Sequence, residues 1–463
     1  MQKFVAWILS SFSLPGLNSS AQAMLSDAEI QAILQRRVDQ EKQSPGIVVG
    51  MIDDRGSHVI AYGKLKTDLL NSAEATSVDG NTIFEIGSIT KVFTALALVQ
   101  LAEQDQLRFK DPISKFLPDS VKAPSYEGQA ISLQALASHS SSLPRLPDNL
   151  APEDIQNPYA DYSIEQLYDF LDRYQLTRKM GSSYEYSNLG AGLLGHLLSR
   201  QTGKDYETLI SDQITQPLQM QDTRIQLTSS QQTRFATGHN QLGQSVAYWD
   251  LPTLAGAGAL RSTVNDLLKF LAANLELQPS PVNASLQKTH VVQLKTDEQN
   301  LAIALGWHIL NQKNQAIICH SGGTGGFRSF IGFIKDKRRG IVVLSNSEND
   351  IDDLGLHLLD RRIPLAQRKP PKTAIAVDSN ILATYMGRYE LNPNFILTIT
   401  EQQGKLYVQA TGQEKFELFA ATETEFFLTV VEAEITFLKN STDQVDRLIL
   451  NQNGRKLPAL KMR

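Results

Sequence analysis

Phe84-Glu85-Ile86-Gly87-Ser88-Ile89-Thr90-Lys91 runs directly into Val92-Phe93-Thr94-Ala95-Leu96-Ala97-Leu98-Val99-Gln100-Leu101. From Ile89 to Leu101 the chain is rich in Ala, Leu and Val and holds neither Gly nor Pro, so it reads as a central helix, apolar on most faces. Ser88 opens that helix, where unpaired backbone amides and the positive end of the dipole stabilise an anionic oxygen. Lys91, three residues on, returns to the same face. A serine hydroxyl needs a base to become a nucleophile, and an enclosed lysine with a lowered pKa can be that base. Taken alone, Ser88 reads more readily as a plain N-cap. A second Ser-x-x-Lys, Ser285-Leu286-Gln287-Lys288, follows Pro279 and Pro281 in a polar stretch and reads as a surface coincidence.

Two downstream motifs shift that balance. Tyr186-Ser187-Asn188 precedes a helical stretch, Gly190 to Gln201, that ends at Gly203. A phenol has a pKa of about 10 in water; near Lys91 and His320 it can serve as a phenolate base and then as the acid for a leaving group. Asn188 offers a donor and an acceptor, suited to a substrate amide and to Lys91. As an isolated tripeptide it reads as a loop tyrosine before a helix start. His320-Ser321-Gly322 is followed by Gly323, Gly325 and Gly326. Glycines in a strand mark close approach to the backbone, and the amides of Gly323 and Ser88 can together form an oxyanion hole. Alternatively, this is a Gly-rich hairpin turn with a structural histidine.

The surroundings specify the fold class. Residues 45–63 read as two strands around an Asp54 to Gly56 turn, and strands return at Ala316 to Cys319, Phe327 to Ile334 and Ile341 to Leu344. Helices are expected at Ile164 to Arg173, Tyr206 to Gln213 and Thr263 to Asn274. Helices framed by strands from both chain ends imply an α/β body of the α+β type, with one antiparallel sheet, flanking helices and a helical subdomain. Arg368-Lys369-Pro370-Pro371-Lys372 reads as a linker. Beyond it, short strand-like runs from Tyr385 to Leu450 predict a small antiparallel β-barrel.

With 41% hydrophobic and 20% charged residues, the 463-residue chain is globular. Its net charge of -5 and scattered Lys and Arg exclude a nucleic-acid partner; the run Lys335 to Arg339 reads as a solvated turn. Lys3, the apolar Phe4 to Leu17 and Ala21-Gln22-Ala23 read as a cleaved signal peptide, so the mature chain begins near Met24 and is exported. A spanning helix needs about 20 apolar residues; none is present, so stable membrane insertion is not expected. Cys319 is the sole cysteine, which excludes an internal disulfide and a Cys-based zinc cluster; strand alternation puts it behind the sheet from His320. The remaining histidines show no ligand spacing, so neither metal nor cofactor is expected.

The three motifs in this order resemble the serine penicillin-recognising hydrolases of the class C β-lactamase and D-alanyl-D-alanine carboxypeptidase group. Phe84 to Ser88, Leu136-Ala137-Ser138-His139-Ser140-Ser141-Ser142-Leu143-Pro144, Tyr184 to Asn188, Gln216 to Met220 and Gly326 to Ser329 extend the likeness over roughly residues 27–360. The resemblance implies Ser88 as acylated nucleophile, Lys91 and Tyr186 as the proton-transfer pair, and Asn188, His320, Ser321, Gly322 and Gly323 as substrate-binding residues. It implies an exported, periplasmic or secreted hydrolase of residues 24–367, a linker at 368–377 and a lipocalin-like barrel at 378–463. The expected activity is cleavage of a peptide, amide or ester bond in a small or cell-wall-derived substrate; the alternatives are a true β-lactamase and a non-catalytic binding protein. The chain departs from β-lactamases in carrying His320 in place of Lys, Ser142 in place of Gly, and Arg328, expected beside the cleft, in place of a small residue. The barrel is expected to shield the cleft or mediate self-association into a homo-oligomer.

Overall fold

The computed structural model describes residues 25–66, 76–298, 300–312, 315–367, 374–393, 395–411, 415–429, 433–452 and 455–462. The expected signal peptide and the expected linker prolines lie outside them. The chain divides into two compact units, 1–369 and 370–463.

The first unit is built on an eight-stranded antiparallel sheet whose strands are β1 (Gly46–Asp53), β2 (Gly56–Gly63), β3 (Leu294–Lys295), β4 (Leu301–Ile303), β5 (His308–Gln312), β6 (Gln315–Gly323), β7 (Arg328–Ile334) and β8 (Arg339–Ser345), in the order β2-β1-β8-β7-β6-β5-β4-β3. The hairpin expected at residues 45–63 closes with Asp53 opposite Gly56. β1 then pairs with β8, from Ile47 opposite Ser345 to Ile52 opposite Gly340. The sheet is thus assembled from both ends of the unit.

Both faces are covered, so β1 is apolar at almost every position. Ile47, Val49 and Met51 face one side, with Cys319, Phe330 and Val343, under α1 (Asp27–Gln35) and α5 (Asp352–Leu359). Val48 and Ile52, with Ile331, Phe333 and Val342, face the other and join the larger core. That core centres on α2 (Thr90–Glu103), buried continuously from Thr90 to Leu101, and on α4 (Val264–Asn274), whose Phe270 stacks on Phe93 at 4.5 Å. Cys319 is buried on the α5 face, as strand alternation requires.

Two local devices set the site. α3 (Asn188–Thr202) starts at Ser187, whose Oγ accepts the Gly190 N–H at 2.8 Å, and stops at left-handed Gly203. Gly192 and Gly195 in α3 let the segment Leu254 to Gly258 approach until an added side chain would meet Leu254 at 2.6 Å and Gly256 at 2.8 Å. The expected helix from Tyr206 to Gln213 is shorter: α-helical geometry covers Tyr206–Ile210 and widens to a π-turn at Ser211–Thr215.

The second unit is a closed antiparallel barrel of eight strands, from Gly387–Asn392 to Arg455–Lys461, closed by Tyr389 opposite Lys461. Tyr389, Leu397, Ile399, Leu406, Phe426, Phe437 and Leu448 fill its interior, as expected for a barrel of this strand number. The eighth strand was not expected from the sequence, because Pro458 interrupts the strand signal; it pairs opposite Ile449.

Candidate active site

Ser88 lies in a 3-10 turn, Gly87–Ile89, that feeds α2. Strand pairing of Phe84 with Ser262 and Glu85 with Arg261 fixes the approach, and the Ile86 carbonyl accepts the Ser329 hydroxyl at 2.8 Å. Gly87 then turns with φ of 48°, where an added Cβ would lie 2.7 Å from the Gly323 nitrogen. The nucleophile turn is therefore pressed against the end of β6. The Ser88 hydroxyl does not cap α2, which has no side-chain cap. Instead it lies 2.9 Å from Lys91 Nζ.

Lys91 is buried, and its Nζ also donates to Asn188 Oδ1 at 2.9 Å and to the Ala257 carbonyl at 2.7 Å. Burial is the main reason its pKa falls well below the usual lysine range, and the field of Arg145 adds to the drop. Tyr186 lies beside this pair, with Lys91 Nζ 4.9 Å from its ring centroid. Its hydroxyl is buried without a formed hydrogen bond. Burial pushes the phenol up to about 12, against smaller opposing pulls from Ser88 and Arg145. Burial thus favours the neutral phenol as the resting form.

His320 is also buried, its Nδ1 2.7 Å from the Ser321 carbonyl oxygen and its Nε2 without a partner. Its ring sits 6.3 Å from Tyr186 and stacks at 4.9 Å on His308. Burial, with His308 and Lys91 nearby, lowers its pKa well below the ordinary value, so it is neutral at pH 7. Ser321 points to the opposite sheet face, against Asp352. Gly322 passes so close to the nucleophile strand that a Cβ would fall 2.0 Å from the Ile86 carbonyl oxygen. Gly323 and Ser88 line one small pocket with Asn188, Tyr159, Trp249, Leu251, Leu254, Ala257 and Thr324.

The motifs therefore converge, and the structure adds residues that spacing did not reveal. His139 stacks on Tyr186 at 4.4 Å, and its Nδ1 accepts the Ser187 N–H at 3.1 Å. It belongs to the Leu136 to Pro144 segment, whose composition signalled a motif without signalling this role. His308 Nε2 lies 3.0 Å from the Tyr184 hydroxyl. Ala257 contributes only a carbonyl, foreshadowed by the small-residue run Ala255 to Gly258.

Two expectations need correction. Arg328 does not face the cleft: as the ladder partner of Gly323 it lies on the Ser321 side, and its Nη1 sits 1.8 Å from where a Gly323 side chain would begin. The Ser285-x-x-Lys288 pair lies on a helix, Asn283–Thr289, and Ser285 is buried. Ser285 donates to Glu103 at 2.5 Å and Lys288 pairs with the same carboxylate at 2.7 Å, so this lysine is committed to Glu103. Among the described residues, no group of three or more His, Cys, Asp or Glu is arranged to hold a metal, and no helix is long and apolar enough to cross a membrane.

A mixed α/β body that brings Ser88, Lys91, Tyr186, Asn188 and His320 together has the arrangement of the serine-hydrolase superfamily, and comparison with known proteins agrees. The chain belongs to the Beta-lactamase family, whose model matches residues 30–362. Residues 371–459 match a domain of unknown function, DUF3471. The chain is 25% identical over 412 residues to penicillin-binding protein 4* of Bacillus subtilis, covering 82% of this chain and 88% of that one. It is 30% identical over 278 residues to the D-alanyl-D-alanine-carboxypeptidase/endopeptidase AmpH of Escherichia coli, covering 57% and 71% respectively. Among solved structures, a β-lactamase/D-alanine carboxypeptidase from Yersinia pestis, complexed with citrate, aligns with a TM-score of 0.62 at 25% identity, covering 74% of this chain and all of that one.

Proposed function

We propose that this protein is an exported serine hydrolase that cleaves a peptide, amide or ester bond of the D-amino-acid peptidase or esterase type through an acyl-enzyme on Ser88. The contact between Ser88 Oγ and Lys91 Nζ carries the reading. A neutral amine has two N–H donors and one lone pair. The carbonyl oxygens of Asn188 and Ala257 accept two N–H donors, so in the neutral form the lone pair is free to accept the Ser88 O–H across the same 2.9 Å separation that the charged form spans as donor. The depressed Lys91 pKa supports the neutral form.

On this reading Lys91 takes the serine proton as Oγ attacks the carbonyl carbon. The Ser88 and Gly323 amides hold the developing oxyanion. The Tyr186 phenol delivers a proton to the leaving group and is restored from Lys91, after which water releases the acyl group by the reverse relay. His320 supplies no fixed cation for a drug carboxylate, and the relatives named as carboxypeptidases favour the peptidase type over a dedicated β-lactamase. Export would follow from the segment Met1 to Ala23, with residues 24–367 as the hydrolase domain, 368–377 as the linker and 378–463 as a lipocalin-like barrel domain.

A panel of p-nitrophenyl esters, D-alanyl dipeptides and nitrocefin tests the assignment on one preparation. Turnover of an ester or dipeptide that disappears in Ser88→Ala is expected. Fast nitrocefin hydrolysis with no peptidase or esterase activity would replace this reading with the β-lactamase one, and binding without turnover would replace it with the binding protein.

A further inference from the structure

We propose that Glu85 is a positioning residue whose carboxylate ties the Gly323–Thr324 turn and the Trp249 wall of the pocket to the strand that carries Ser88. The inference rests on the reading of Ser88 as nucleophile and Gly323 as oxyanion donor. Glu85 stands three residues before Ser88 and is 4% exposed, an unusual place for a carboxyl. Its Oε1 accepts the Trp249 N–H at 3.1 Å and faces Arg261 Nη2 at 3.5 Å. Trp249 and Thr324 both line the pocket with Ser88. Thr324 directly follows Gly323.

The other carboxylate oxygen gives the arrangement its sensitivity. Glu85 Oε2 and the Thr324 hydroxyl are each buried without a formed hydrogen bond, yet the hydroxyl is near enough to pull the Glu85 pKa down. Such a pair is costly unless it closes. An ionised Glu85 draws the Thr324 O–H and the Arg261 guanidinium toward itself, holding the turn after Gly323. A protonated Glu85 releases that pull.

The groups that face Glu85 are few. Arg261 comes from the paired strand, held by its own donation to the Ile225 carbonyl at 2.6 Å and flanked by Asp250 at 3.5 Å. The Trp249 segment presents a backbone N–H and the Gly-rich turn presents Thr324. Burial, opposed by Arg261, places the Glu85 pKa at about 7. The proton exchange therefore falls in the working range of an ordinary hydrolase.

The test measures kcat and KM for a p-nitrophenyl ester, and pocket fluorescence, from pH 5.5 to 8.5 in wild type, Glu85→Gln and Ser88→Ala. The ratio of wild-type to Glu85→Gln kcat is expected to rise from about one at pH 5.5 to about tenfold at pH 8.5, with KM within twofold. Fluorescence is expected to show a step near pH 7 in wild type and in Ser88→Ala, and none in Glu85→Gln. A kcat ratio that stays flat with pH overturns the proposal, as does a step that survives in Glu85→Gln. Full ester turnover by Ser88→Ala would instead remove the nucleophile reading, while the fluorescence step, recorded without substrate, still reports on Glu85. If Glu85→Gln does not fold, Thr324→Val takes its place. Loss of that hydroxyl is expected to move the fluorescence step to higher pH, and an unmoved step overturns the proposal.

Discussion

Replacing Lys91 by Met keeps the unbranched stem in its buried slot and removes only the amine. Three contacts vanish, to Ser88 at 2.9 Å, Asn188 at 2.9 Å and the Ala257 carbonyl at 2.7 Å. Two carbonyl oxygens are left without their donor, which costs about 1–3 kcal/mol each where no water can enter. Relief from burying an amine offsets part of that, so the variant is expected to fold. The chemical step fares worse. A positioned general base contributes roughly 10²–10⁴-fold, about 3–5.5 kcal/mol of barrier at 1.36 kcal/mol per tenfold. Single-turnover release of p-nitrophenol from an activated ester reads the acylation step directly, with circular dichroism confirming the fold. Lys91→Met is expected to acylate at least a hundredfold more slowly than wild type, and acylation within tenfold would refute the assignment of Lys91 as base. The wild-type pH profile carries the same claim: its basic-group limb should lie well below 10.5, because burial lowers the Lys91 pKa.

Gly322→Ala places a Cβ 2.0 Å from the Ile86 carbonyl oxygen and 2.3 Å from Ser329 Oγ. β6 and the nucleophile strand must then separate, and ester turnover is expected to fall at least tenfold in protein that still melts cooperatively; unchanged turnover would show that this approach does not set the oxyanion geometry. Glu85 also makes a stability prediction. Its pKa is raised from 4.5 to about 7, so the stability it allows is complete below 4.5, declines as pH rises through about 7 and stays lost above. The integrated loss is about 3 kcal/mol. Denaturant titrations followed by the fluorescence of Trp249 and Trp307 should therefore show Glu85→Gln gaining about that much relative to wild type between pH 5 and pH 8. A difference that does not change with pH would contradict the buried carboxyl.

The helix behind Ser88 was legible because Thr94 alone breaks the apolar run from Val92 to Leu98 and neither Gly nor Pro falls within it, and the hairpin at Gly46–Gly63 because β-branched residues flank the Asp54 to Gly56 turn signal. Serine, lysine, tyrosine, asparagine and histidine of the site were legible as motifs, since chemistry at fixed spacing leaves a local trace. What joins them is not local. His139 reaches Tyr186 through ring stacking across the site, Ala257 contributes a backbone oxygen that any residue could provide, and Glu85 acts through Arg261 and Trp249, both more than 160 positions away. The misplacement of Arg328 had a simpler cause. Strand alternation assigns each residue of β7 to a face, and Arg328 falls on the side away from His320 once the register with Gly323 is known. Short strands such as Leu301–Ile303 and Leu294–Lys295 carry too few residues to show a period.

Mass spectrometry of the folded protein after reaction with a fluorophosphonate tests the central claim most directly. One covalent adduct per chain, mapped to the peptide holding Ser88 and missing from Ser88→Ala, is the predicted result. Folded protein that takes up no label, or carries it on Ser285 or another serine, would contradict the account.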